Sequence, residues 1–178
     1  MLVLPVLVAC NESTDDGTAQ VERVPVAENA CDLVPSAVVA DWDLSEVSHS
    51  TTTETALSFG RCTMAGGSAD DVTLDLSLTN YSGGDAGSAA GFAEDERTET
   101  CAELSASEAS RGTVTETGSS CRATSTVDGA ASTTVISEVP ETYGVVRIEM
   151  RTPTDDDGDR AEAAVDDVLA AVEADAGS

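Results

Sequence analysis

The chain has 178 residues, in which 34 acidic residues stand against 8 arginines and no lysine, for a formal net charge of −26. Phosphate backbones and anionic lipid headgroups repel such a chain, which excludes nucleic acid and a basic membrane-binding patch. Its length fits one domain, and with only 3% aromatic residues the core has to be built from Val, Leu and Ala.

The N-terminal segment indicates export. The apolar run at 2–8 is shorter than the roughly 20 residues that a membrane-spanning helix needs. It ends in Leu7-Val8-Ala9-Cys10, which resembles the bacterial lipobox, whose cysteine receives the lipid. We predict a signal peptide at 1–9, truncated at its start because no basic residue precedes the run, and lipidation of Cys10. The alternative is a soluble protein with a buried N-terminal strand and an ordinary core cysteine.

The predicted domain organisation follows from composition. Residues 10–30 comprise the lipidated cysteine and a polar, acidic stretch without sustained periodicity, which is typical of a disordered tether. An α+β domain is predicted at 31–174 and a tail at 175–178. Two or more acyl chains, with palmitate expected among them, would hold the protein stably at the outer face of the cell membrane. This lipid anchor is the only membrane contact that we predict.

The four remaining cysteines predict two disulfides, because an even number is typical of an exported chain. Four cysteines allow three pairings, which sequence alone does not decide. We favour Cys31 with Cys62 and Cys101 with Cys121, since each pair joins elements adjacent in sequence. Zinc is the competing interpretation, but no Cys-x-x-Cys spacing occurs and His49 is the sole histidine. We therefore predict no metal and no cofactor.

Periodicity predicts the elements of the domain. In chain order they are a helix at 36–42, a polar loop at 45–55, strands at 57–64 and 72–80, a helix at 88–104, three or four strands over 113–151, and a helix carrying its apolar residues over 161–172. Asp128-Gly129 predicts a type I′ hairpin turn. We predict a single α+β domain with an antiparallel sheet, helices packed mainly on one face, and two disulfides.

Two segments could carry chemistry, but each has a simpler explanation. His49 lies between two serines in the predicted loop, and neighbours in sequence do not supply the geometry of a catalytic triad. The acidic run at 154–159 could bind Ca²⁺, but Arg160 stands where an EF-hand loop requires glycine. An acidic helix N-terminus explains this run as well. We predict no catalytic residues.

Four segments together resemble a class of actinobacterial cell-envelope lipoproteins that carry a domain of unknown function. They are the lipobox at Cys10, the tether that bears Ser and Thr, the segment Cys31-Asp32-Leu33-Val34-Pro35-Ser36 opening a helix, and Cys62-Thr63-Met64. The resemblance implies export, lipidation and a disulfide between Cys31 and Cys62, and it implies no activity. A haloarchaeal lipoprotein is the alternative source, because an acidic surface without lysine is also typical of salt-adapted proteins.

These observations predict an exported, lipid-anchored, monomeric surface lipoprotein without enzymatic activity. Its expected partner is an envelope protein, a wall component or a small ligand. One alternative hypothesis is an envelope hydrolase that uses a divalent cation or carboxylates, with Asp155, Asp157 and His49 as the residues to test. The other is a structural module stabilised by Ca²⁺.

Overall fold

The computed structural model describes residues 26–66, 72–82, 84–108, 112–154 and 157–177. Its strands are β1 (Leu44–Thr53), β2 (Leu57–Gly66), β3 (Val72–Tyr81), β4 (Gly112–Thr117), β5 (Ser120–Val127), β6 (Ala130–Val139) and β7 (Gly144–Thr152). Its helices are α1 (Ser36–Asp41), α2 (Ala86–Glu108) and α3 (Gly158–Ala176), with short 3-10 turns at Ala30–Leu33 and Pro140–Thr142. None of these helices is long and apolar enough to cross a membrane.

All seven strands form one antiparallel sheet in the order β1-β2-β3-β7-β6-β5-β4. The first three strands form a meander, α2 crosses to the far edge, and the last four strands return so that β7 pairs with β3. The predicted α+β class and antiparallel sheet are therefore confirmed.

The central strands are apolar on both sides, and helices cover both faces of the sheet. Alternating side chains of β6 divide between two clusters: Val135 packs with α1 and α3, and Ile136 packs with α2. In β7, Val146 and Val145 divide in the same way. We call these sides the α3 face and the α2 face. The prediction of helices mainly on one face holds for α1 and α3, while α2 lies on the other.

The two favoured disulfides are confirmed. Cys31–Cys62 joins the N-terminal 3-10 turn to β2 among the residues of the α3 face. Cys101–Cys121 joins α2 to β5 on the α2 face. Each face of the sheet thus has one covalent link between its covering layer and a strand.

The predicted loop at 45–55 is wrong, because most of it belongs to β1. Nine of the ten residues of this strand are exposed, so no apolar alternation marks it in the sequence. It is an edge strand held by its pairing with β2, interrupted by a register shift between Glu46 and Ser48. Its three consecutive threonines are β-branched and suit an extended backbone.

Buried residues also occur before residue 31. Val26 is 5% exposed and Ala30 is fully buried, and a Cβ at Gly60 would collide with Val26. Asn29 caps the 3-10 turn, since its side chain accepts a hydrogen bond from the Cys31 backbone N–H at 2.9 Å. The signal peptide at 1–9, Cys10 and most of the predicted tether lie outside the described residues.

Candidate ligand-binding groove

The α2 face carries an open groove beside α2. This helix packs against β3 to β7, and the centre of the face toward β2 remains accessible. The cavity has a volume of about 360 Å³, and its lining includes Phe59, Arg61, Asp75, Ser77, Arg147, Glu149 and Arg151. We call it the arginine groove. It lies over β2, β3 and β7 in the middle of the sheet.

The pairing register places Arg61, Ser77 and Arg147 in one row across these strands. Arg61 pairs with Ser77 in the β2–β3 ladder, and Ser77 pairs with Arg147 in the β3–β7 ladder. Directly paired residues point to the same face of a sheet. The short serine therefore stands between two long basic side chains.

The next row along the strands contains two carboxylates. Asp75 pairs directly with Glu149, an arrangement of like charges that is destabilising on its own. Asp75 accepts hydrogen bonds from the Thr63 hydroxyl at 2.7 Å and from Arg61 at 3.5 Å. The two carboxylates are therefore held next to positive charge.

Glu149 lies between two arginines of its own strand. It accepts hydrogen bonds from Arg147 Nη2 at 3.1 Å and Arg151 Nε at 2.7 Å. The side chain of Glu149 is 14% exposed, whereas those of Arg147 and Arg151 are 43% and 65% exposed. The two guanidinium groups are thus accessible from the groove, and the Glu149 carboxylate that orients them lies beneath.

Three of the six described arginines lie in this groove, and the other three connect elements of the fold. Those contacts are Arg97 with Glu138, Arg122 with Glu162 and Asp166, and Arg160 with the ring of Trp42. The groove combines three arginines with two carboxylates. It therefore carries a local excess of positive charge on a chain whose net charge is −26.

One end of the groove is fixed by contacts between β3 and α2. Glu96 accepts hydrogen bonds from the Tyr81 hydroxyl at 2.9 Å and from the Thr79 hydroxyl at 3.3 Å. Burial, and then the hydrogen bond to Glu96, raise the pKa of Tyr81 far above its ordinary value. Phe92 of α2 is 57% exposed, with its ring centroid 5.8 Å from that of Tyr81.

At its other end the groove continues into a second cavity of about 280 Å³. The two cavities share Glu149 and Arg151, and the second is also lined by Ser132 and Glu108. Glu108 Oε2 is buried and accepts no hydrogen bond from the part of the chain that the structure describes. The two cavities therefore adjoin at Glu149 and Arg151.

The structure does not gather the candidate residues of the sequence into one site. Cys31, Cys62, Cys101 and Cys121 are all in disulfides. His49 is exposed on β1 and pairs in register with Cys62 of the α3 face, opposite the groove. Its Nδ1 lies 2.8 Å from Glu46 Oε1. The pKa of Glu46 is lowered by hydrogen bonds from Asn29 and then His49.

The acidic run at 154–159 is only partly described, and Asp155 lies outside the described residues. Thr154 donates a hydrogen bond to Asp157 at 2.9 Å, just before α3 begins. Across the described ranges, no group of three or more His, Cys, Asp or Glu side chains is placed to hold a metal ion.

Comparison with known proteins gives a similarity of fold to solved structures. No family model matches the chain, and no curated protein matches it. The extracellular domain of PknH from Mycobacterium tuberculosis is similar with a TM-score of 0.45 and 12% sequence identity, over 83% of this chain and 99% of that one.

Proposed function

We propose that this protein is an exported lipoprotein, anchored through Cys10 to the outer face of the cell membrane, that binds a ligand in the arginine groove without chemical turnover. The ligand is a small molecule, a wall component or a segment of an envelope protein. The observation that carries the proposal is the grouping of Arg61, Arg147 and Arg151 at one open groove, while every other described arginine connects structural elements.

Export is supported by the disulfides. Disulfides form and persist in oxidising compartments, and both pairs here are formed between elements of one domain. The lipobox sequence ending at Cys10 supplies the anchor, and the acidic residues between Cys10 and Val26 have the composition of a tether. Together these features favour a domain displayed at the membrane surface.

Ligand binding is supported by the chemistry of the groove. Ligand sites are concave and carry a few convergent polar groups, and arginine suits planar oxyanions because its N–H donors form a fixed fork. The sole histidine lies on the opposite face, so it cannot serve the groove as an acid or base. The two carboxylates of the groove, Asp75 and Glu149, accept hydrogen bonds from Thr63 and from arginines, which favours a positioning role for them and binding over hydrolysis.

The proposal is tested by blocking the groove. We expect a panel of small carboxylates, phosphate esters, sugars and soluble wall fragments to contain a compound that raises the melting temperature of the native protein. A compound present at about 100 times its Kd should stabilise the folded state by about 2.7 kcal/mol. Ser77→Trp should abolish the shift, and Thr115→Trp, at an exposed position of edge strand β4, should retain it. Equal shifts in both variants, or no shift with any compound, would contradict the proposal.

A further inference from the structure

We propose that the row Arg61, Ser77 and Arg147 is an anion subsite, which takes an oxyanion group of the ligand between the two guanidinium groups. This inference rests on the proposed function and names the chemical class of its ligand. The oxyanion is a carboxylate or a phosphate carried by a small molecule or by a wall fragment.

The spacing of the row suits one oxyanion. Neighbouring strands lie about 4.8 Å apart, so the Cα atoms of Arg61 and Arg147 are separated by about 10 Å, with Ser77 halfway between them. Arginine side chains are long and serine is short, which leaves space over Ser77 with a basic group on either side. The serine hydroxyl can donate a further hydrogen bond from below.

Both guanidinium groups have donors to spare. A guanidinium carries five N–H donors. In the described part of the chain, Arg61 donates one hydrogen bond, a long one of 3.5 Å to Asp75, and Arg147 donates one of 3.1 Å to Glu149. Their side chains are 59% and 43% exposed. An incoming oxyanion can therefore bind without displacing either carboxylate.

The carboxylates position the arginines. Asp75 and Glu149 occupy the adjacent row, and Thr63 fixes Asp75 by a hydrogen bond of 2.7 Å. Contacts on one side restrict the rotamers of Arg61 and Arg147 before a ligand arrives, which lowers the entropy lost on binding. They also limit the net positive charge of the groove, so that one oxyanion is enough to balance it.

The negative charge of the whole chain does not prevent an anion from binding in this row. Distant acidic residues repel anions, but at physiological ionic strength their field is screened beyond about 8 Å. Within that distance the three arginines of the groove outnumber its two carboxylates, so the local charge is positive. Phe59, two residues before Arg61 in β2, offers an aromatic ring for the rest of the ligand.

The subsite is tested by ¹H–¹⁵N NMR titration of the full domain with inorganic phosphate and, separately, with acetate, at constant ionic strength. We expect shifts concentrated at the amides of Arg61, Ser77 and Arg147. The double variant Arg61→Gln/Arg147→Gln should weaken binding about tenfold or more, as expected for lost charge-assisted hydrogen bonds. Arg160→Gln changes the net charge at a site outside the groove and should retain the affinity.

Shifts that spread over the surface, or that persist in the double variant, would overturn the anion subsite. Arg61→Lys/Arg147→Lys separates charge from geometry: it should bind more weakly than the native protein, because lysine lacks the planar fork. A neutral compound that stabilises the native protein but not Ser77→Trp, together with no groove shifts from either anion, would refute the subsite and leave the proposed function standing. If neither anion shifted the groove amides and no compound of the panel stabilised the native protein, both the anion subsite and the proposed function would be refuted.

Discussion

Gly144 begins β7 where a 3-10 turn and the end of β3 meet. A Cβ at this position would lie 2.7 Å from the Thr79 carbonyl oxygen and 2.8 Å from the Thr142 hydroxyl. We expect Gly144→Ala to lower the free energy of unfolding by about 1 to 3 kcal/mol, since a backbone atom cannot move aside as a flexible side chain can. Urea denaturation measures this change.

Gly91 in α2 provides the matched control, because a Cβ there meets nothing within 4 Å. Gly91→Ala should raise the free energy of unfolding by about 0.5 to 1 kcal/mol through the lower backbone entropy of the unfolded chain. A Gly144→Ala variant that is as stable as the native protein or more stable would contradict the close approach at Gly144.

Tyr81 links stability to alkaline pH. Its raised pKa means that the folded state keeps the phenol proton at a pH where the unfolded chain releases it. The folded state then binds more protons than the unfolded one, so this stabilisation is complete at neutral pH and is lost as the pH rises above about 10.

Tyr81→Phe isolates this contribution. At pH 7 it should lower the free energy of unfolding by about 0.5 to 1.5 kcal/mol, because Glu96 loses one of its two side-chain donors. The difference in the free energy of unfolding between the native protein and the variant should become smaller above about pH 10, where tyrosine in the unfolded chain ionises. Urea denaturation at both pH values measures it, and a difference independent of pH would contradict the raised pKa.

Among single residues, those of local turns could be predicted and those of the groove could not. Asp128 and Gly129 have φ values of 54° and 86°, as the predicted type I′ turn requires. Arg147 and Glu149 occupy the polar positions of an alternating strand, which indicate only a solvated face. No sequence pattern indicates that they lie near Arg61 of β2. They do so because β7 pairs with β3, which is distant from it in sequence, and β3 pairs with β2.

At the scale of elements, the docking of α2 depends on the Cys101–Cys121 disulfide, whereas α3 is held by apolar burial. The described buried residues of α2 are two alanines, Cys101 and Leu104, whereas α3 buries Val165, Val168 and Val172 along its whole length. Apolar burial therefore stabilises the docking of α2 far less. The Cys101–Cys121 link, with a sequence separation of 20, offsets this weakness.

Removing that disulfide should loosen α2 selectively. Cys101→Ser/Cys121→Ser should lower the free energy of unfolding by about 2 to 4 kcal/mol and speed hydrogen exchange in α2 before α3. Cys31→Ser/Cys62→Ser is the control on the opposite face and should leave the exchange of α2 comparatively slow. Faster exchange spread evenly over both helices in the first variant would contradict this account.

The elements that could be predicted are those with a strong apolar pattern. The alternation over 72–80 corresponds to β3, and the helical spacing of Val165, Val168 and Val172 corresponds to α3. β1 gave no such signal because an edge strand with nine exposed residues buries almost nothing. Ile136 and Val145 pack against α2 on the second face of the sheet. These two residues come together only when β6 pairs with β7, so the sequence of either strand alone does not predict where α2 docks.

At the scale of the whole molecule, the net charge of −26 makes stability depend on salt. Repulsion among acidic residues opposes the compact state, and ions screen it with a Debye length of about 30 Å at 0.01 M and about 10 Å at 0.1 M. We expect the melting temperature to rise as NaCl increases over this range, with the protein already folded at the lower concentration because two disulfides stabilise it.

Circular dichroism during heating measures this dependence. An uncharged osmolyte such as sucrose serves as the control, since it strengthens burial without screening charge. A protein that folds only in molar salt would favour the haloarchaeal source, and a melting temperature independent of NaCl would contradict charge repulsion as a determinant of stability.

The central claim, that the disulfide-linked domain is exported and anchored at the membrane surface, is tested most directly by the intact mass of the protein made from its native gene in a bacterial host. The mass is recorded before and after reduction and thiol alkylation. We predict a chain that begins at Cys10, carries a diacylglycerol mass, and exposes four alkylatable thiols only after reduction. An unlipidated chain whose thiols alkylate without reduction would contradict the anchor, the oxidising compartment and the disulfides together.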